Sequence, residues 1–127
     1  MYLLPEIALT IQLVERLRSY FGNKVAVFHS KYSNNERVEV WKQVLENSAK
    51  AQIVIGARSA LFLPFSNLEF IIIDEEHEQT FKQQDPAPRY HARDAAIVLA
   101  NFHKAKVILG SATPSIETYY NATSGKY

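Results

Sequence analysis

The stretch Phe70-Ile71-Ile72-Ile73-Asp74-Glu75-Glu76-His77 decides how the rest of the sequence is read. Four consecutive apolar residues end abruptly in three carboxylates and a histidine. An unbroken apolar run of this length fits a strand buried on both faces, the habit of parallel sheets covered by helices. In such sheets ligands bind outside the carboxyl ends of the strands, so the acidic run leaves the core where chemistry is expected.

On either side the chain alternates short β-rich runs with longer amphipathic segments, which is the signature of an α/β fold with a mostly parallel sheet. Met1 to Leu4 read as a strand end. Leu9 to Phe21 place Leu9, Leu13, Leu17 and Tyr20 at helical spacing, with Gly22 as the stop. Val25 to His29 form the next strand. Ser33 followed by Glu36 is a capping box, opening a helix to about Asn47 whose buried stripe is Val40, Trp41, Val44 and Leu45. Gln52 to Gly56 and Glu69 to Ile73 are further strands, and Pro64 argues against a long element between them. Glu78 to Tyr90, broken by Pro86 and Pro88, reads as a loop; one this long is usually functional or mobile. A helix over Ala92–His103, a strand over Lys106–Leu109 and a helix from Ser115 to about Ala122 complete the pattern.

Composition narrows the class. The 127 residues are 47% hydrophobic and 21% charged, with 14 Lys+Arg against 13 Asp+Glu and no cysteine. That suits one globular domain over residues 1–127 with its own core and excludes disulfide scaffolds and cysteine zinc sites. The near-zero net charge announces no partner, although a local basic patch would not register in the sum. No secretory signal opens the chain and no apolar stretch is long enough for a bilayer, so a cytoplasmic chain without membrane contact is expected.

Four groups of residues could carry chemistry. Asp74 after the apolar strand can hold a Mg²⁺ bound to a nucleotide phosphate, and Glu75 can orient or deprotonate an attacking water. An acidic pair in that position also suits an ordinary turn. A metal site of Asp74, Glu75, His77 and His91 matches no standard ligand spacing. Gly110-Ser111-Ala112-Thr113-Pro114 follows the next apolar strand and offers hydroxyls for a relay, although Ser and Thr before Pro also cap helices. Gly56 to Phe62, with Arg58 and Ser59, and Pro5 to Thr10 could contact phosphates; Thr10 equally suits a helix cap. Phe81, Lys82, Gln83, Gln84, Arg89, Tyr90, His91 and Arg93 interleave aromatics with cations, as single-stranded nucleic acid requires; loop aromatics also anchor a loop on its own domain. His29 and His103 read as structural or merely exposed.

Together these loops resemble the first motor domain of superfamily 2 helicases, and within them the bacterial replication-restart helicases with a DEEH box. The resemblance runs over nearly the whole chain. LLPEIALT at Leu3–Thr10, IVIGARSALFLPF at Ile53–Phe65, IDEEHEQTFKQQ at Ile73–Gln84, RYHARD at Arg89–Asp94 and ILGSATPSIET at Ile108–Thr118 carry it. It implies a RecA-like, P-loop NTPase type three-layer sandwich and an ATP-dependent 3′-to-5′ DNA helicase that recognises stalled forks and D-loops. Primosome proteins and the replicative helicase are the implied partners, and ATP with Mg²⁺ the cofactors. By motif position, Asp74 would hold Mg²⁺ and Glu75 the hydrolytic water, while His77, Ser111 and Thr113 would couple nucleotide state to DNA contact. Thr10, Arg58, Ser59, Phe81, Lys82, Arg89, Tyr90 and Arg93 would lie along the DNA.

The departures set the remaining expectations. No G-x-x-x-x-G-K-[ST] occurs, so the strand and loop of Walker A are missing. The resemblance also implies a second motor domain and a cysteine-rich zinc module that this chain does not contain. A fragment of a larger protein, unable to hydrolyse ATP alone, is the expectation. The missing strand is expected between Phe70–Ile73 and Val107–Leu109, so that its loss either leaves edges open to an oligomer or closes the gap. A non-enzymatic module that binds DNA or a protein partner and another superfamily 2 translocase are the alternative readings.

Overall fold

The computed structural model describes residues 1–8 and 10–127. Leu9, expected as the first apolar position of the first helix, lies outside them. In chain order the elements are β1 (Tyr2–Leu3), α1 (Ile11–Phe21), β2 (Val25–Phe28), α2 (Asn34–Leu45), β3 (Ile53–Gly56), β4 (Phe70–Ile73), β5 (Lys82–Gln83), β6 (Tyr90–His91), α3 (Ala92–His103), β7 (Lys106–Leu109) and α4 (Ile116–Thr123). Five strands form one parallel sheet in the order β2-β3-β1-β4-β7, and β5 with β6 forms a separate antiparallel hairpin. This is the α/β class expected from the alternation of short apolar runs and amphipathic segments.

Local chemistry sets the helix starts. Thr10 Oγ1 accepts the Leu13 N–H at 3.3 Å and opens α1. The capping box opens α2: the Ser33 hydroxyl accepts from Glu36 N–H at 3.4 Å, and the Glu36 carboxylate accepts from Ser33 N–H at 2.8 Å. At the end of β3 the chain turns into a short 3-10 segment, Arg58–Phe62. Gly56 stands where that turn passes close by. A Cβ there would lie 2.7 Å from both the Ala60 methyl and the Phe28 carbonyl, so any larger residue would force the turn off the sheet.

The sheet divides two cores. On one face Leu3, Val54, Ile71 and Ile73 pack with Leu61, Phe81, Ala92, Ala96 and Ala100 from the segments after β3 and β4 and from α3. On the other, Val14 of α1 covers Val25, Val27 and Ile55, flanked by Leu13 and Leu17. The stripes expected on the helices are narrower in fact. Tyr20, Trp41 and Leu45 are exposed, and Val14 and Val44 supply the buried contacts.

One expectation is corrected here. The Phe-Ile-Ile-Ile run is not buried on both faces: Ile71 and Ile73 are fully buried, whereas Phe70 and Ile72 are 47% and 38% exposed. Ile72 shares its face with its register partners Tyr2 and Ile108, and α1 covers only the β2-β3-β1 half of that face. Of the two outcomes expected of the missing Walker A strand, an open edge or a closed gap, the sheet shows the closed gap. β4 and β7 pair directly from Phe70↔Lys106 to Ile73↔Leu109, which leaves β2 and β7 as the edges of the sheet.

The segment Glu78–Tyr90 is also more ordered than a loop. A 3-10 turn at Gln79–Phe81 seats Phe81 in the core, and the β5–β6 hairpin follows. Gln83 Nε2 donates to the carbonyls of Pro86 and Pro88 at 2.9 and 3.1 Å and closes the far end. No helix among the described residues is long and apolar enough to cross a membrane.

Candidate functional site

The acidic run emerges where a parallel sheet presents its loops, at the carboxyl end of β4 beside β1 and β7. Asp74 is half-buried and each of its carboxylate oxygens accepts one hydrogen bond, Oδ2 from the Tyr2 hydroxyl at 2.7 Å and Oδ1 from Glu75 N–H at 3.0 Å. Burial pushes the Tyr2 hydroxyl up to about 12, and the hydrogen bond and charge of Asp74 add to the effect. A lone pair on each Asp74 oxygen stays available. Glu75 adopts the left-handed region at φ +52, a conformation that costs a non-glycine residue of order 1–3 kcal/mol and that clusters at functional sites.

The loop after β7 is zipped to this turn by main-chain bonds, Gly110 N–H to Ile73 O at 2.8 Å and Glu76 N–H to Gly110 O at 3.0 Å. Gly110 passes close to the acidic turn: a Cβ there would stand 3.3 Å from Asp74 Oδ1 and would press on that carboxylate. The approach brings His77 onto two hydroxyls. His77 Nδ1 and Ser111 Oγ share a hydrogen bond of 2.7 Å, and His77 Nε2 and Thr113 Oγ1 one of 3.4 Å. Glu75 Oε2 lies 3.6 Å from the same Nδ1. The five residues expected from two distant motifs are therefore one constellation of carboxylates, an imidazole and hydroxyls. The suggested metal set of Asp74, Glu75, His77 and His91 is not assembled; among the described residues no group of three or more such side chains could hold an ion.

Beneath the constellation lies a buried polar cluster centred on Glu76. Glu76 is 1% exposed and accepts from Ser115 N–H at 2.7 Å, the Thr118 hydroxyl at 2.8 Å, Arg93 at 3.0 Å and the Ser115 hydroxyl at 3.2 Å. Burial pushes its pKa up, but those donors outweigh it and hold the carboxyl below its ordinary value. Arg93 is correspondingly raised, burial being overcome by Glu76 and Asp94.

The residues expected along DNA separate into groups. Lys82 and Arg89 are exposed on the hairpin and Tyr90 is half-buried; with Gln83, Gln84, Asp85 and His91 they line an open groove of about 710 Å³. Phe62, 67% exposed, meets Tyr90 edge-on with ring centres 5.4 Å apart, an exposed aromatic missed from sequence. Arg58 donates to the Thr80 and Lys82 carbonyls at 3.2 and 3.3 Å, holding the start of the hairpin. Ser59 is exposed beside it, and Thr10 is exposed while capping α1.

Two of that set must be corrected. Phe81 is 1% exposed in the core, and Arg93 is 7% exposed with its guanidinium engaged on Glu76, Asp94, Ser115 and Thr118. Neither presents a free surface for a base or a phosphate. Phe81 is buried because its short turn folds under the hairpin, and Arg93 because it heads a helix packed on β4 and β7. Tyr2 was likewise missed, because only the parallel pairing of β1 with β4 brings it to Asp74.

A family model for DEAD/DEAH box helicases matches residues 1–122. The chain is 50% identical over 125 residues to the Replication restart protein PriA of Chlamydia pneumoniae, covering 98% of this chain and 16% of that protein. It is 49% identical over 125 residues to the protein of the same name from Bacillus subtilis, covering 98% and 15% respectively. The Haemophilus influenzae protein of that name is 50% identical over 125 residues, 98% of this chain and 17% of the relative. The chain thus spans about one sixth of the length of these relatives.

Proposed function

Because the chain belongs to the DEAD/DEAH box helicase family, we propose that it is the acidic-box segment of the first motor domain of an ATP-dependent, 3′-to-5′ DNA helicase acting in replication restart. The observation that carries this reading is the junction of His77 with Ser111 and Thr113 beside Asp74 and Glu75. It joins an acidic turn suited to nucleotide chemistry to a loop on the neighbouring strand, the arrangement a motor needs if hydrolysis is to be felt elsewhere in the fold.

The oxygens of Asp74, each with a lone pair to spare, suit Mg²⁺, which prefers one or two carboxylates together with water and substrate phosphates. When bound, that ion would neutralise charge on a nucleotide phosphate. Glu75, turned back by its left-handed backbone, is the residue to orient a water. His77 then ties the turn to the hydroxyl loop. Lys82 and Arg89 supply the cations and Tyr90 with Phe62 the rings for a single strand of DNA. Without a Gly-rich phosphate cradle, the chain alone should not hydrolyse ATP. Forked DNA, D-loops, primosome proteins and the replicative helicase belong to the whole protein under the same proposal.

The test is fluorescence anisotropy of a labelled single-stranded oligonucleotide and a forked duplex, titrated with the chain at low and moderate salt. Binding that weakens with salt and in Arg89→Ala and Tyr90→Ala is the expected result. Equal binding by the two variants and the wild-type chain would sink the hairpin as the DNA contact.

A further inference from the structure

The buried cluster beneath the acidic turn carries a step that rests on that reading and deepens it. Three segments meet on Glu76: its own turn after β4, the first residues of α3 through Arg93, and the start of α4 through Ser115 and Thr118. Arg93 uses one nitrogen, Nη1, for Glu76 Oε2 at 3.0 Å, Ser115 Oγ at 2.6 Å and Thr118 Oγ1 at 3.2 Å, while its Nε donates to Asp94 at 2.9 Å. The guanidinium holds Asp94 through one nitrogen and the Glu76 cluster through another, which the single nitrogen of a lysine ammonium cannot do in the same geometry.

The position of the cluster matters more than its strength. Ser115 closes the hydroxyl loop whose Ser111 and Thr113 touch His77, so the loop is held at both ends, by Gly110 on Ile73 and by Ser115 on Glu76. At the other side Arg93 is separated from β6 by the fully buried Ala92 alone, and Arg93 N–H donates to His91 Nδ1 at 3.3 Å. The hairpin that presents Lys82, Arg89 and Tyr90 therefore ends on the residue that grips the loop.

We propose that Glu76 and Arg93 are positioning residues, which fix the Ser111–Ser115 loop against His77 and pass to it any displacement of the β5–β6 hairpin. In a motor of this family they would join the nucleic-acid surface to the nucleotide site through about a dozen atoms of side chain, without touching either ligand.

The test compares backbone amide spectra of the chain and its variants. Gln83→Ala removes the two hydrogen bonds that close the hairpin and should move the signals of the hairpin and also those of Ser111, Thr113 and Ser115. In Arg93→Lys or Glu76→Gln backgrounds the hairpin signals should still move and the loop signals should not. Thr118→Val, which removes one hydroxyl at nearly constant shape, serves if those variants fail to fold and should reduce the transmitted movement. Movement of the loop signals that persists in all three backgrounds, or stillness of the loop in the wild-type chain when Gln83 is replaced, overturns the proposal. A parallel titration with a thymidine oligonucleotide separates the two readings. If the oligonucleotide moves nothing while the Gln83→Ala arm behaves as expected, the nucleic-acid assignment fails and the coupling stands.

Discussion

Arg89 and Arg93 stand four residues apart in one motif, and the fold puts them to opposite uses. Arg89 sits exposed at the rim of the hairpin groove, whereas Arg93 is buried beneath the acidic turn with all its engaged nitrogens on protein oxygens. Phe81 and Tyr90 divide in the same way across the hairpin, one ring in the core and the other half-exposed against Phe62. The lesson is that a string of aromatics and cations is not one surface. Its ends anchor it and its middle is free to meet a partner.

The sharpest way to break that comparison is to truncate both arginines. Arg93→Ala leaves Glu76 as an uncompensated buried carboxylate, and losing one partner of such a pair costs about 3–5 kcal/mol. Arg89→Ala removes an exposed side chain and should stay within about 0.5 kcal/mol of the wild type. Urea denaturation followed by circular dichroism reads both. Similar losses for the two variants would mean that Arg93 is not the anchor the geometry makes it.

The aromatic pair sharpens the contrast at smaller scale. Phe81→Ala opens a cavity in the main core, an expected loss of about 3–5 kcal/mol at the full cost of an aromatic truncation, somewhat eased where the hairpin can settle into it. Tyr90→Ala gives up an edge-on contact with Phe62 worth about 0.5–1.5 kcal/mol beyond its burial. The same melts rank them, and a Tyr90→Ala loss equal to that of Phe81→Ala would place the hairpin ring in the core after all.

What was legible in the sequence follows from the range of the forces involved. Capping residues, apolar periodicity and the strand exits are local, and Ser33 with Glu36, Ala92–His103 and the Asp74 turn stand where the pattern put them. The meeting of His77 with Ser111 and Thr113 was foreseeable once two consecutive sheet loops were recognised, because adjacent parallel strands deliver their loops side by side. Burial within the polar segment was not legible. Nothing in Phe-Lys-Gln-Gln or Arg-Tyr-His-Ala-Arg-Asp tells which cation or ring turns inward, since that depends on Glu76, 17 residues from Arg93, and on the hydroxyls of α4 beyond it. Tyr2 was hidden for the same reason, its partner Asp74 being 72 residues away.

The smallest expected effect lies at the joint between the two regions. His91 separates the exposed hairpin from the buried Arg93, and burial together with the Arg93 charge holds its imidazole below the ordinary value of 6.5, against the opposing pull of Asp94 and Glu76. Its Nδ1 accepts the Arg93 N–H at 3.3 Å, which requires that nitrogen to be unprotonated in the fold. As pH falls through 6.5 the unfolded chain therefore takes up a proton at His91 before the folded chain does, and stability falls with it. His91→Asn keeps an acceptor at the start of α3, where Asn is a favoured cap, and removes the titration. Denaturation midpoints measured from pH 7.5 to 5.5 should decline more steeply for the wild-type chain than for this variant. Parallel profiles would mean that protonation of His91 does not weigh on the joint between the hairpin and the buried Arg93.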